Sequence, residues 1–261
     1  MSLAPVMPAL FIGHGSPMNI ILDNAYTRSL SALSERLPKP KAIIAFSAHW
    51  ETAHTELLAL ESPKTIYDFG GFPPALYELN YPAPGSPKLV DEILALLSDC
   101  ALKSTQNWGF DHGVWAVLRW LFPKADVPVI PVSLSKRFTL SDHLSMAKAF
   151  ARLRAQGYMI LGSGNVTHNL GDLAWDDPAA APFAWAKEFD TLVKEALEIG
   201  NESLLTSFRD EAHWKRAHPR REHYVPLLYI LGARQDSESV KFVYEGFEHG
   251  SLSMRSFAYG L

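Results

Sequence analysis

The sequence predicts an α/β fold of three layers, αβα, with a central mainly parallel or mixed sheet and a C-terminal β-hairpin. Two patterns carry the prediction. Short apolar runs bounded by Gly, Pro or Ser alternate with stretches of helical periodicity, as strands joined by helical crossovers do. Near the end of the chain the pattern changes to alternation on both sides of His249-Gly250, a hairpin signature. No composition shift, internal repeat or low-complexity segment divides the chain, so residues 1–261 read as one catalytic-sized domain.

The apolar runs Pro8–Ile12, Lys41–Ser47, Val127–Leu134 and Tyr158–Leu161 have the length and hydrophobicity of buried strands. Val127–Leu134 contains two prolines, which remove backbone donors and suggest an edge or irregular strand. Helical patterns cover Asn24–Arg36, Lys88–Leu97, Val114–Leu121, Ser141–Ala155, Phe183–Glu198 and Glu222–Leu231. Pro87 and the run Thr139–Asp142 supply helix-start signals. Ser239–Phe247 and Ser251–Tyr259 form the two arms of the expected hairpin. Glu61–Gly85 is rich in Pro, Gly and aromatics and is long for a linker, so it reads as a functional loop over a pocket, with Gly70-Gly71 as a flexible pair.

Composition narrows the function. Apolar residues make up 48% and charged residues 20%, and the net charge of −4 carries no long basic or acidic block. That disfavours nucleic acid or an anionic membrane as partner. No apolar run reaches transmembrane length, and Met1–Ile12 lacks the basic start of a signal peptide. Cys100 is the sole cysteine, which rules out an intrachain disulfide and a thiolate metal cage and points to a reducing, cytoplasmic location. Nothing in the sequence assigns an oligomeric state. Any metal held here is held by imidazole and carboxylate, and there are ten histidines.

Three histidines fall at equivalent places. His14 (in GHGSP) follows the first predicted strand, His49 (in SAHW) the second and His168 (in GSGNVTHN) the fourth. Ligands of open α/β sheets bind outside the carboxyl ends of the strands, so these residues can converge. His223 (in EHYVPLLY) at the start of a late helix and His112 (in WGFDHGVW) are further candidates. A lone histidine after a strand is more often a capping or hydrogen-bonding residue; three in equivalent positions point to a metal or acid/base site. His54, His143, His213, His218 and His249 lack this context and are assigned surface or structural roles. Gly13-x-Gly15 lacks the third glycine of a dinucleotide fingerprint.

At these positions the chain resembles the class III (LigB-type) extradiol ring-cleavage dioxygenases, in particular their DOPA 4,5-dioxygenase branch. The segments that carry the resemblance are GHGSPMN (13–19), SAHW (47–50), YDFGGFPPALY (67–77), YPAPGSP (81–87), WGFDHGVW (108–115), GSGNVTHNL (162–170), EHYVPLLYILGA (222–233) and GSLSMRSF (250–257). The resemblance implies a mononuclear non-haem Fe(II), a small catechol such as DOPA or a related catecholic acid, and O₂, with Zn²⁺ a competitor for the site in purified protein. It implies that His14, His49 and His223 are metal ligands. His168 would be the catalytic acid/base and a possible fourth ligand, and His112 a second histidine near substrate. Many class III enzymes use glutamate as third ligand; here His223 holds that position and Glu222 stands beside it.

Three ligands on one face of Fe(II) leave three positions for two catechol oxygens and O₂. Three neutral imidazoles leave the full 2+ charge on the site, which favours a catecholate dianion. Trp50, Phe72, Trp115 and Tyr224 are expected to wall the pocket. The rival readings are a histidine-ligated zinc hydrolase, with Glu222 as its only obvious carboxylate, and a metal-binding protein without catalysis.

Overall fold

In the computed structural model, residues 6–261 are described; Met1–Pro5, where the segment read as lacking a signal peptide begins, lie outside the described residues. The strands are β1 (Ala9–Gly13), β2 (Ala42–Thr52), β3 (Thr55–Leu58), β4 (Leu102–Thr105), β5 (Val129–Ser135), β6 (Tyr158–Gly164), β7 (Lys241–Tyr244), β8 (Phe247–Glu248), β9 (Leu252–Ser253) and β10 (Ser256–Tyr259). The helices are α1 (Ala25–Ser34), α2 (Pro87–Leu96), α3 (His112–Leu121), α4 (Leu140–Ala151), α5 (Ala184–Glu198), α6 (Glu202–Thr206), α7 (Glu211–Ala217) and α8 (Val225–Gly232).

Eight strands form one mixed sheet in the order β4-β3-β5-β2-β6-β1-β10-β7. The central strands β5, β2, β6 and β1 are parallel, and β10 and β7 add antiparallel strands at one end. The apolar runs split by alternate residues onto the two faces. Ala9, Phe11, Ile44, Phe46, Tyr158 and Ile160 pack into one core, with Leu144, Phe150, Leu228 and Phe189 of α4, α8 and α5. Leu10, Ile12, Ile43, Ala45, Met159 and Leu161 pack into a second, with Leu30, Val114, Trp115 and Leu118 of α1 and α3. Burial on both faces explains why these strands read as continuous apolar runs.

The structure departs from the sequence reading at definite points. β5 is interior, between β3 and β2, rather than at an edge. Its irregularity is real, however. Pairing with β3 is limited to Leu57↔Val132, and its register with β2 breaks between Phe46 and Glu51. β3 and β4 were not anticipated, nor were the short helices α6 and α7. The tail is two pairings: β8 with β9 as the hairpin, and β7 with β10 in the main sheet. α8 starts at Val225, so Glu222 and His223 sit in the turn before it, not on its first turn. Pro226 in the first turn of α8 has no N–H to leave unpaired.

The order β2-β6-β1 puts the carboxyl ends of three adjacent strands side by side. His14 follows β1 and His168 lies four residues past β6, as expected. His49 lies within β2 rather than beyond it, on the stretch past the last β2–β6 pair, Ser47↔Ser163, where the ladder to β5 is also broken.

Candidate metal centre and its cavity

Each histidine is fixed by its local sequence. Gly164 matters most. Asn165 N–H donates to the His223 carbonyl (2.9 Å), and a Cβ at Gly164 would collide with that oxygen. Only glycine lets the loop after β6 run this close to the turn before α8. That approach brings His168 face to face with His223, with ring centroids 3.4 Å apart and planes within 2°. His112 is the first residue of α3, whose N-cap Asp111 accepts from Val114 N–H. Asp111 is fully buried and also accepts from Ser47 Oγ (2.6 Å) and Trp108 Nε1 (3.1 Å), which ties α3 to β2. Burial, with the nearby Asp68 carboxylate, raises its pKa to about 6.

The five candidates converge. His14 and His49 face each other through Nε2 atoms 3.1 Å apart. Ring centroids of His14–His223, His49–His223, His14–His112 and His49–His112 are 5.3, 5.0, 5.4 and 4.0 Å apart. The outward nitrogens have partners. His14 Nδ1 meets Ser163 Oγ at 2.9 Å, His49 Nδ1 lies 3.3 Å from Asp68 Oδ2, and His223 Nδ1 lies 3.3 Å from Glu222 Oε1. His223 Nε2 is buried with no protein partner. Asp68 also accepts from the His112 backbone N–H (2.8 Å) and sits 3.0 Å from His112 Nδ1, off the line of a directed hydrogen bond.

This donor set fits a metal ion. Two imidazole nitrogens bound at about 2.1 Å and 90° to each other are about 3.0 Å apart, close to the His14–His49 spacing. Outer groups on Nδ1 are the usual means of fixing which nitrogen faces a metal. His14, His49 and His112 have ligand atoms within 4.8 Å of one another. The compact triple thus includes His112 in place of the expected His223, while buried nitrogens without a hydrogen-bond partner occur on both, Nδ1 of His112 and Nε2 of His223. Burial first, then the mutual repulsion of neighbouring imidazoles, drives the pKa values of His14 and His223 well below the usual histidine value. His49 is lowered by the same two causes, with Asp68 opposing. His168 is lowered to about 4 by burial and His112. Neutral imidazoles are what a metal requires.

The histidines line a cavity of about 360 Å³, together with Gly15, Ser16, Pro17, Asp68, Phe69, Gly70, Phe72, Leu170, Leu173, Trp175, His249 and Leu252. A larger cavity of about 650 Å³ beside α5 holds none of the histidines. Of the four aromatics expected at the wall, only Phe72 lines the cavity. Trp50 stacks on Trp108, Trp115 donates through Nε1 to the Ile66 carbonyl, and the Tyr224 hydroxyl donates to Leu205 O within the core. Asp68 and Ser163 carried no assigned role in the sequence; a carboxylate among glycines and aromatics in a pocket loop was the only signal for Asp68. His249, assigned to the surface or to structure, lines the cavity. His143 and His218 are buried and structural, bonded to Tyr229 Oη and Val166 O.

A mixed α/β sheet carrying a buried polyhistidine cluster at its strand ends is a metalloenzyme scaffold. The family profile described as "Catalytic LigB subunit of aromatic ring-opening dioxygenase" matches residues 8–257, and the chain belongs to this LigB family. It is 44% identical to a protein of Escherichia coli (strain K12) named 4,5-DOPA dioxygenase extradiol, over 97% of this chain and 95% of that one. It is 34% identical to a protein of the same name from Beta vulgaris, over 97% of each. A solved structure of an uncharacterized protein from Escherichia coli K12 superposes with a TM-score of 0.83 at 40% identity, covering 97% of this chain and 99% of that one. No helix among the described residues is long and apolar enough to cross a membrane.

Proposed function

We propose that the chain is an extradiol dioxygenase that opens the ring of DOPA or a related small catecholic acid with O₂ at one Fe(II). The observation that carries this is the convergence of His14, His49 and His223, each with its Nδ1 turned to an outer polar group, in a cavity of about 360 Å³. Names of relatives at 44% and 34% identity supply the substrate class. We take His14, His49 and His223 as the ligands because, of the cluster's two buried nitrogens without a hydrogen-bond partner, His112 Nδ1 lies 3.0 Å from the Asp68 carboxylate, whereas His223 Nε2 has no carboxylate beside it. Fe(II) held there would bring catechol and O₂ together and acidify the catechol hydroxyl.

The rest is work for the protein's own groups. His168, neutral at pH 7, takes the hydroxyl proton at a ring nitrogen and returns it to a product oxygen. Its stack on His223 holds the ring in one orientation. His112 stands beside it with Asp68 at its Nδ1. Phe72, Leu173 and Leu252 exclude water from the ring. The zinc-hydrolase alternative lacks a free carboxylate base, since Glu222 is turned to His223 Nδ1 and to Arg220, and Asp68 to His49 and His112.

We also read residues 1–261 as a single LigB-like catalytic domain, supported by the profile match over 8–257 and by one sheet that takes strands from both ends of the chain. A cytoplasmic site of action is supported by the unpaired Cys100. Anaerobic reconstitution with Fe(II), addition of a catechol and admission of air test the function. O₂ uptake with growth of a yellow product is expected. Full iron loading without O₂ uptake on any catechol would overturn it.

A further inference from the structure

Apart from the five clustered histidines and Asp68, His249 is the cavity's only titratable lining residue, and no lysine or arginine lines it among the described residues. His249 occupies the turn between β8 and β9 with φ +52°, followed by Gly250 at +75°. Among the described residues only Ala125 is another non-glycine with positive φ. A Cβ disfavours that region, and such residues concentrate where function holds them.

The ring is not needed to dock the hairpin. The backbone already does so: Ala174 N–H donates to His249 O (2.9 Å), His249 N–H to Pro178 O (3.0 Å) and Phe183 N–H to Gly250 O (2.7 Å). His249 Nδ1 lies 3.1 Å from the Ala174 carbonyl, which can only accept, so Nδ1 carries a hydrogen and Nε2 is left for a ligand. The half-exposed Trp175, 62% accessible, lies beside the ring at 6.0 Å between centroids, and Leu173 and Leu252 complete an apolar wall.

We propose that His249 is a specificity-determining residue that receives the ionised carboxylate borne by the substrate's ring substituent. This rests on the catechol reading above. In the imidazolium form the Nε2–H donates a charge-assisted hydrogen bond to the carboxylate, while the catechol end sits among the buried histidines. Among the described residues no lysine or arginine lines the cavity to receive a carboxylate, and Asp68 is engaged by His49 and His112.

The test compares a catechol bearing a carboxymethyl group with 4-methylcatechol, in wild type, His249→Asn and His249→Gly. Asn and Gly both accept positive φ, so the turn is kept. Dissociation constants are measured on zinc-loaded protein, which needs no turnover, and kcat/KM on the iron form. The preference for the carboxylated over the uncharged ligand should fall on the order of 10-fold in both variants, as expected for loss of a charge-assisted hydrogen bond. A purely structural role would weaken both ligands alike and leave the ratio unchanged, which overturns the proposal. Failure of wild type to bind either catechol would overturn the functional reading instead.

Discussion

Asp68→Asn tests whether the loop after β3 sets the metal centre. The carboxylate makes three contacts: the His112 backbone N–H at 2.8 Å, His112 Nδ1 at 3.0 Å and His49 Nδ1 at 3.3 Å. Asparagine keeps the size and an acceptor for the N–H at the start of α3, so the substitution removes charge more than shape. Burial alone would raise the Asp68 carboxyl pKa, but the two histidines outweigh it and hold the group below the usual carboxylate range. It is therefore ionised at pH 7 and raises the donor strength of His49. Loss of an outer-shell partner costs roughly 10–100-fold in metal affinity or activity, or about 1.4–2.7 kcal/mol. Competition against a chromophoric chelator measures Zn²⁺ affinity of the metal-free protein, and O₂ uptake at saturating Fe(II) measures kcat. Affinity and kcat both within twofold of wild type would refute the argument, since the carboxylate would then be a loop anchor only.

His168→Phe should keep most of the metal while kcat falls by about 10²–10⁴; complete metal loss on elemental analysis would make His168 a ligand. His223→Ala should bind metal far more weakly than Glu222→Gln, which keeps an oxygen toward His223 Nδ1, and His223→Glu should retain some iron; metal retained by His223→Ala and lost by Glu222→Gln would reverse the assignment. Protein purified in air should carry roughly one Zn²⁺ or Fe per chain by mass spectrometry of metals, and none in His14→Ala or His49→Ala. Acid should destabilise the metal-free protein. Burial lowers His218 to about 3 and His143 to about 4, both below the unfolded value of about 6.5. The unfolded chain thus binds protons first, and the stability these residues lend is complete above about 6.5 and is lost as pH falls toward the folded values. Urea unfolding at pH 7.5 and 5.0 should show the loss, less so in His218→Gln; equal stability at both pH values would contradict it.

The buried strands were legible because their environment is uniform. β1, β2, β5 and β6 are covered on both faces, so each reads as an apolar run. β3 and β4 are four residues each, and β4, at the sheet edge, is mostly polar with none of its residues buried. Their pairing is decided by tertiary neighbours rather than by local pattern. Helix starts were legible where a signal marked them, at Pro87, the first residue of α2, and at Thr139, the N-cap of α4. The start of α8 was misplaced because Glu222 and His223 are good helix-turn residues that tertiary contacts hold in the preceding turn. His14 and His168 could be placed because they follow strands among glycines. Asp68 could not, because its partners lie 19 residues upstream at His49 and 44 downstream at His112, and only the folded loop joins them. The aromatics misled for a related reason: Trp50, Trp115 and Tyr224 neighbour site residues in sequence, but their rings turn into the packing.

On the proposed ligand set of His14, His49 and His223, the outer carboxylates bear on how the site would hold a divalent ion without an anionic ligand. A glutamate bound directly would leave one net positive charge on a divalent ion and occupy the position with an anion. Here the acidic groups stand one ring away: Asp68 at His49 Nδ1 and Glu222 at His223 Nδ1. Each polarises an imidazole without adding charge among the ligands themselves. Burial and mutual repulsion keep His14, His49 and His223 neutral. A divalent ion held by those three neutral imidazoles would have no anionic ligand from the protein. Phe69, Phe72, Leu173 and Leu252 line the pocket, and on the proposed reading the ion's charge would favour a deprotonated catechol. On the proposed ligand set, the arrangement would shift the demand for negative charge from the protein to the substrate, with neutral His168, stacked on His223, to take a hydroxyl proton.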